Sequence, residues 1–189
     1  FFIEEPVYDE FIKSFKSHVE AINVGDGLDS KSTMGPLVAD RRLEVMEDFI
    51  SDAISSGGEV ISGGGRGQSP GSFFEPTLIR DVPDTAKIMI EEPFGPVAPS
   101  ASFSSIDEII ERANSLPFGL ASYAFTSNPR TSQILKSEIE SGMLAINSMH
   151  IHSVETPFGG LKHSGYGYEG SIEGLEAFLV TKYSSEIYT

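Results

Sequence analysis

The sequence predicts an α/β fold: a doubly wound, mainly parallel sheet with flanking helices. Apolar residues recur at helical spacing in separated stretches, and short β-branched runs lie between them. Over residues 97–147 the order runs strand, helix, strand, helix, strand. Such alternation produces parallel strands joined by crossover helices that cover the sheet. The length of 189 residues suits one domain, 1–189, with a core of its own.

Phe1-Phe2-Ile3 opens the chain in what reads as the middle of a strand. Pro6 followed by Val7, Phe11, Phe15, Val19 and Ile22 predicts an amphipathic helix with proline in its first turn. Residues 23–36, rich in Gly, Asp and Ser, read as a loop. Leu43, Met46, Phe49, Ile50, Ala53 and Ile54 give a second helix its apolar face, and Gly57-Gly58 stops it. A strand over 59–62 runs into the glycine-rich stretch 63–71, which lacks the Gly-Lys-Ser/Thr ending of a phosphate loop and reads as a flexible surface loop. Residues 77–79 and 97–103 read as strands. Ser105 and Glu108 form a capping box, with Ile106, Ile109, Ile110 and Ala113 as the buried stripe of the helix that follows. After a strand over 121–126, Asn128-Pro129 caps a helix ending near Gly142, and 143–147 is a buried strand. The loop 148–160 leaves the carboxyl end of that strand, where ligands of open α/β sheets sit. The tail 179–188 alternates enough to be a strand.

Composition narrows the function classes. Thirteen basic against 28 acidic residues give a net charge of −15, which argues against nucleic-acid and anionic-membrane partners. No apolar run approaches the roughly 20 residues a bilayer span needs. Hydrophobic content of 39% and charged content of 22% are those of a soluble globular protein, with the cytoplasm as the default compartment. The chain has no cysteine, hence neither disulfides nor thiolate metal sites.

Two short stretches carry the most chemistry: Glu91-Glu92-Pro93-Phe94-Gly95-Pro96-Val97 and Thr156-Pro157-Phe158-Gly159-Gly160-Leu161-Lys162. Each combines ring-stiffened prolines, permissive glycines and a large aromatic, a recipe for one loop conformation with a flat apolar face. The first adds two carboxylates, good acceptors for the paired hydroxyls of a ribose. Taken singly, either motif reads equally well as a tight turn around a core phenylalanine. Taken in this order, they join Gly35-Pro36-Leu37, Phe74-Glu75-Pro76-Thr77-Leu78, Phe118-Gly119-Leu120-Ala121 and Ser164-Gly165-Tyr166-Gly167. The whole set resembles the aldehyde dehydrogenase superfamily over nearly the full chain.

The resemblance implies an aldehyde dehydrogenase catalytic-domain fold and oxidation of an aldehyde to an acid with NAD or NADP. In the family a cysteine thiolate attacks the carbonyl, hydride leaves for a nicotinamide, and a glutamate-activated water hydrolyses the thioester. That cysteine lies a few residues upstream of the segment that Phe1-Phe2-Ile3-Glu4-Glu5 resembles. The general base, the oxyanion-stabilising asparagine and the main dinucleotide-binding domain also lie upstream. The expectation is therefore a C-terminal catalytic-domain part that starts just after the nucleophile and is inactive alone. Glu92 matches the residue on the nicotinamide ribose hydroxyls, Phe94 the ring beside that ribose, and Leu120 a position near the nicotinamide. Glu91 has the wrong offset from Phe94 and reads as a solvated carboxylate. Phe158 matches the aromatic wall of the aldehyde tunnel, and Met149-His150-Ile151-His152-Ser153 the variable loop that selects the aldehyde's tail. In semialdehyde dehydrogenases of the family a serine of this loop grips the substrate carboxylate, and His152 and Ser153 fall near that place. A protonated histidine would suit a carboxylate-bearing aldehyde. Glu169 matches a glutamate at the inner end of the water channel, a candidate second proton relay. The parent is expected to be a homo-oligomer, dimer or tetramer, with the tail 179–189 pairing with a neighbouring subunit.

Plainer readings stand beside several of these. Leu120 also reads as a core leucine, 149–153 as an exposed loop, and Glu169 as a carboxylate near a helix N-terminus. His150 and His152 alternate like a metal pair but lack a third ligand, so no metal is expected. Gly165-Tyr166-Gly167-Tyr168-Glu169-Gly170 fits the dinucleotide fingerprint literally, yet follows a loop and leaves no room for a βαβ unit. Tyr168 stands where the family usually carries arginine, which blurs the subfamily. A catalytically dead scaffold of the same fold and a CoA-acylating relative are the rival functions.

Overall fold

The computed structural model describes residues 1–188, and its contacts group the chain into two compact units divided between Ser105 and Ile106. Helices and strands alternate through both, and the strand pairs are mainly parallel, as the predicted fold class requires.

In the first unit, β1 (Phe2–Glu4) pairs parallel with β5 (Ala101–Phe103). A single 3-10 turn, Glu5–Val7, holds Pro6 and leads into α1 (Tyr8–Glu20). The buried side of α1 is Tyr8, Ile12 and Val19, not the expected Val7 and Phe11, which are exposed. Tyr8 wins the inward place because its hydroxyl has a partner there, accepting from the Asp81 N–H at 2.9 Å. Phe11 instead packs edge-on to Phe15. α2 (Arg41–Ser55) buries Leu43, Met46, Phe49, Ile50 and Ala53 as its spacing predicts, while Ile54 is exposed. Gly57, at φ +113°, ends the helix in a conformation that favours glycine.

β2 (Glu59–Ser62) runs antiparallel to β3 (Thr77–Arg80), whose other edge is parallel to β4 (Val97–Pro99). The stretch expected as a surface loop folds back as a short ladder: Gly67 N–H donates to the Phe73 carbonyl and Glu75 N–H to that of Gly65. The strand expected over 97–103 is broken. Pro99 has no N–H for a longer ladder, and buried Ser100 donates both its N–H and its hydroxyl to the Ile79 carbonyl at 2.8 and 2.9 Å. Beyond it the chain changes partner from β3 to β1. A short helix that periodicity did not reveal, α3 (Lys87–Ile90), precedes the first of the two motifs. The core of this unit is formed by two apolar clusters, one around Met46, Phe49, Phe74 and Ile79, the other around Tyr8, Ile12 and Leu78.

The second unit opens with α4 (Ile106–Asn114), on which Ile106, Ile109 and Ile110 are only half-buried and Ala113 is exposed, so the expected buried stripe is not closed over. β6 (Phe118–Gly119) pairs antiparallel with β9 (Leu161–Lys162). β7 (Ala121–Ala124) pairs in parallel with β8 (Met143–Ile146). Between those two runs α5 (Pro129–Glu138), capped as predicted: Asn128 Oδ1 accepts from the N–H groups of Arg130 and Thr131 at 2.9 and 3.4 Å. α6 (Ser171–Glu176) follows. Residues 179–188 form no strand with the described chain, and Thr189 lies outside the described residues. Among the described residues no helix is long and apolar enough to cross a membrane.

Candidate active site

The expected residues fall in both units: Glu92 and Phe94 in the first, and Leu120, His152, Ser153, Phe158 and Glu169 on three separate segments of the second. In the first, residues 91–97 follow α3 and lead into β4. Glu91 N–H continues the helix by donating to the Lys87 carbonyl at 2.7 Å. Arg42, in the first turn of α2, donates from Nη2 to the Pro93 carbonyl. Gly95 lies against Met46: a Cβ on Gly95 would stand 2.2 Å from the Met46 sulfur, and Met46 is 0% exposed. Thr77 N–H donates to the Pro96 carbonyl at 2.8 Å, and Val97 N–H to that of Gly95 at 2.9 Å.

Between these fixings Phe94 has φ +43° and is 71% exposed. A left-handed bulky residue costs about 1–3 kcal/mol, and an aromatic ring in water returns no burial against that cost. Glu91 and Glu92 are both exposed beside it. The arrangement presents a carboxylate and a flat ring on a rigid mount. Nearby, the Asp48 carboxylate 2.8 Å from Lys87 Nζ raises that ammonium's pKa above the usual lysine range.

In the second unit, Phe158 and Glu169 exchange both backbone hydrogen bonds, each N–H donating to the other's carbonyl at 2.8 Å. With Leu120 they line one open depression of about 200 Å³. The His152 ring stands edge-on to Phe158, centroids 5.3 Å apart at 84°. The loop before Phe158 is organised by its own polar atoms: Ser153 N–H donates to Thr156 Oγ1 at 2.9 Å, and that hydroxyl donates back to the Ser153 carbonyl at 3.0 Å. A hydrogen bond from the Ser153 hydroxyl holds the exposed Glu155 carboxyl below the usual carboxylate range. Glu169 is exposed and precedes α6, whose own first-turn carboxylate is Glu173.

The structure thus brings Leu120, Phe158 and Glu169 to one depression and sets His152 against Phe158, while Glu92 and Phe94 share the 91–97 loop. A larger cavity of about 450 Å³ in the first unit, lined by Val19, Ile22, Phe73 and Glu75 among others, contains none of the expected residues. Two contributors lie outside the motifs. Met46 was visible as a core position of α2, but nothing in the sequence links it to Gly95. Arg42 had no signal at all, because its partner is a backbone carbonyl 51 residues away.

Comparison with known proteins shows the family and the fold. The profile of the aldehyde dehydrogenase family matches residues 1–184. A protein named "Probable succinate-semialdehyde dehydrogenase (NADP(+))" from Sinorhizobium fredii is 42% identical over 182 residues, 96% of this chain and 37% of the relative. The 4-(hydroxymethyl)benzenesulfonate dehydrogenase TsaD1 of Comamonas testosteroni is 40% identical over 183 residues, 97% of this chain and 38% of the relative. The crystal structure of succinate-semialdehyde dehydrogenase from Burkholderia pseudomallei superposes with a TM-score of 0.93 at 37% identity, covering 95% of this chain and 37% of that one. The chain therefore spans less than two-fifths of the length of the relatives it matches. A profile match over nearly every residue, a shared catalytic-domain fold and the two motif loops lead to one conclusion: this chain belongs to the aldehyde dehydrogenase family.

Proposed function

We propose that this chain is the C-terminal part of the catalytic domain of an NAD(P)-dependent aldehyde dehydrogenase that oxidises aldehydes with an anionic tail, semialdehydes first among them. The observation that carries the reading is the 91–97 loop, where a strained, exposed Phe94 stands on a buried mount beside an exposed Glu92. These residues fit a nicotinamide nucleotide: Glu92 would accept from the ribose hydroxyls and Phe94 would cover an apolar face of ribose and ring. Leu120 would offer a further apolar contact. When bound, the nicotinamide supplies the hydride acceptor.

The remaining residues would handle the aldehyde. Phe158, braced by His152, would form an apolar wall that orients the carbonyl and excludes water. His152 and Ser153 would hold the anionic tail, with the Ser153 hydroxyl turning from Glu155 to do so. The names of the relatives support an anionic tail, since succinate semialdehyde and a benzenesulfonate both carry one. Glu169 would relay a proton along the water path. The exposed apolar tail, with Leu179, Val180, Tyr183 and Ile187, would pair with a neighbouring subunit.

With no cysteine, the isolated chain offers no thiolate for the aldehyde carbon, so it should reduce neither NAD nor NADP above a heat-killed control with any aldehyde. Clear turnover would end this reading. In the complete protein that the gene encodes, Glu92→Gln should raise the nicotinamide KM and Phe158→Ala the aldehyde KM. A Glu92→Gln variant altered only in the aldehyde KM contradicts the assignment.

A further inference from the structure

We propose that Arg42 is a positioning residue for the cofactor loop, holding the peptide plane on which the left-handed Phe94 depends. The inference rests on the roles given above to Glu92 and Phe94.

Arg42 is poorly placed for the helix that carries it. It lies in the first turn of α2, where the partial positive charge of the helix N-terminus disfavours a cation. Its Nε is buried without a hydrogen-bond partner among the described residues, a further unfavourable feature for a guanidinium. The interaction gained is remote in sequence: Nη2 donates to the Pro93 carbonyl.

That carbonyl belongs to the peptide unit joining Pro93 to Phe94, so its direction fixes φ of Phe94, observed at +43°. Released, the peptide can rotate and let Phe94 relax to a negative φ, which would swing the ring and the neighbouring Glu92 carboxylate. Met46, four residues on and on the same face of α2, meets Gly95 on the far side of Phe94. One polar grip and one buried contact, both from α2, therefore flank the strained residue. Packing by Met46 alone leaves the Pro93 carbonyl free to turn, and Arg42 supplies the missing restraint.

The test uses the complete protein, with cofactor dissociation constants measured by calorimetry without aldehyde, and amide exchange measured without cofactor. Arg42→Met should weaken cofactor binding about tenfold, the worth of one charge-assisted hydrogen bond. It should also speed exchange across residues 91–97 while the amides of β3 keep their protection, and leave the aldehyde KM at saturating cofactor unchanged. Arg42→Lys, which keeps a cationic donor, should recover most of the affinity. If Glu92→Gln weakens binding while Arg42→Met changes neither binding nor exchange, the positioning role is overturned and the ribose assignment stands. If neither variant affects binding, both fall. Should Arg42→Met fail to fold, Arg42→Gln, neutral and shorter, carries the same expectations, and wild-type exchange in that variant overturns the proposal.

Discussion

The two motif loops are made from the same ingredients, proline, glycine and phenylalanine, yet they are held in different ways. The 91–97 loop is seated on side chains: Met46 is fully buried beneath Gly95, and Val97 is buried within the same cluster. The 148–160 loop belongs to a unit whose buried apolar residues are Leu135, Met143 and Ala145 among those described. It is seated on backbone, through the Phe158–Glu169 pair, the Ser153–Thr156 turn and the packing of Gly142 on the Gly159 carbonyl. A loop fixed from beneath keeps its shape when its outward residues change. A loop fixed by its own polar atoms changes shape with its sequence, which would suit the substrate-selecting role proposed for it.

The largest effect should come from Gly142→Ala. A Cβ there would stand 1.9 Å from the Gly159 carbonyl oxygen, a backbone atom that cannot swing aside. The expected cost is about 3 kcal/mol of stability, read as a lower denaturant midpoint of the complete protein. A loss of under about 1 kcal/mol would mean that the second loop is not seated on backbone.

Substrate choice comes next. Donors on His152 and Ser153 would be desolvated without reward by an alkyl tail, whereas an anionic tail gains a charge-assisted bond. The complete protein should favour succinic semialdehyde over an unbranched alkanal by about ten- to a hundredfold in kcat/KM, and the His152→Ala, Ser153→Ala double variant should lose most of that margin. A wild type that prefers the alkanal, or a double variant with the margin intact, removes the anion-reading role from this loop.

Gly95→Ala sharpens the contrast. Its new Cβ would meet a thioether, and a methionine side chain can repack, so the cost should be about 1–2 kcal/mol. Equal costs at Gly95 and Gly142 would erase the distinction between the two seats. The smallest effect concerns Glu155. Because the Ser153 hydroxyl depresses its folded pKa, stability from this contact is complete above the unfolded carboxylate pKa and is lost as pH falls through the folded value. Ser153→Ala should move the Glu155 titration, followed by NMR, upward toward the ordinary carboxylate range. An unmoved titration would show that the Ser153 hydroxyl does not hold the Glu155 carboxyl.

The sequence by itself determined features whose causes are local. Asn128 capped its helix because Asn-Pro is a start signal within one turn, and Gly57 ended α2 because it tolerates a left-handed φ. The apolar period of α2 marked its core face correctly but for Ile54, and the strand–helix–strand order was enough to imply parallel pairing of β7 with β8. The motifs together marked the family.

Only the tertiary structure decided which surfaces meet. α1 turned Tyr8 inward in place of Phe11 because the Asp81 N–H waits there, 73 residues on. The strand over 97–103 divided at Ser100 because its neighbours on the two sides of that residue are different strands. Arg42 and Met46 became the mount for residues 93–95 through one carbonyl and one missing Cβ, and neither contact leaves a trace in periodicity or motif. Periodicity records that a face is apolar, and a motif records that a turn is tight. The partner of either is set by packing between residues far apart in the chain, and that information is three-dimensional.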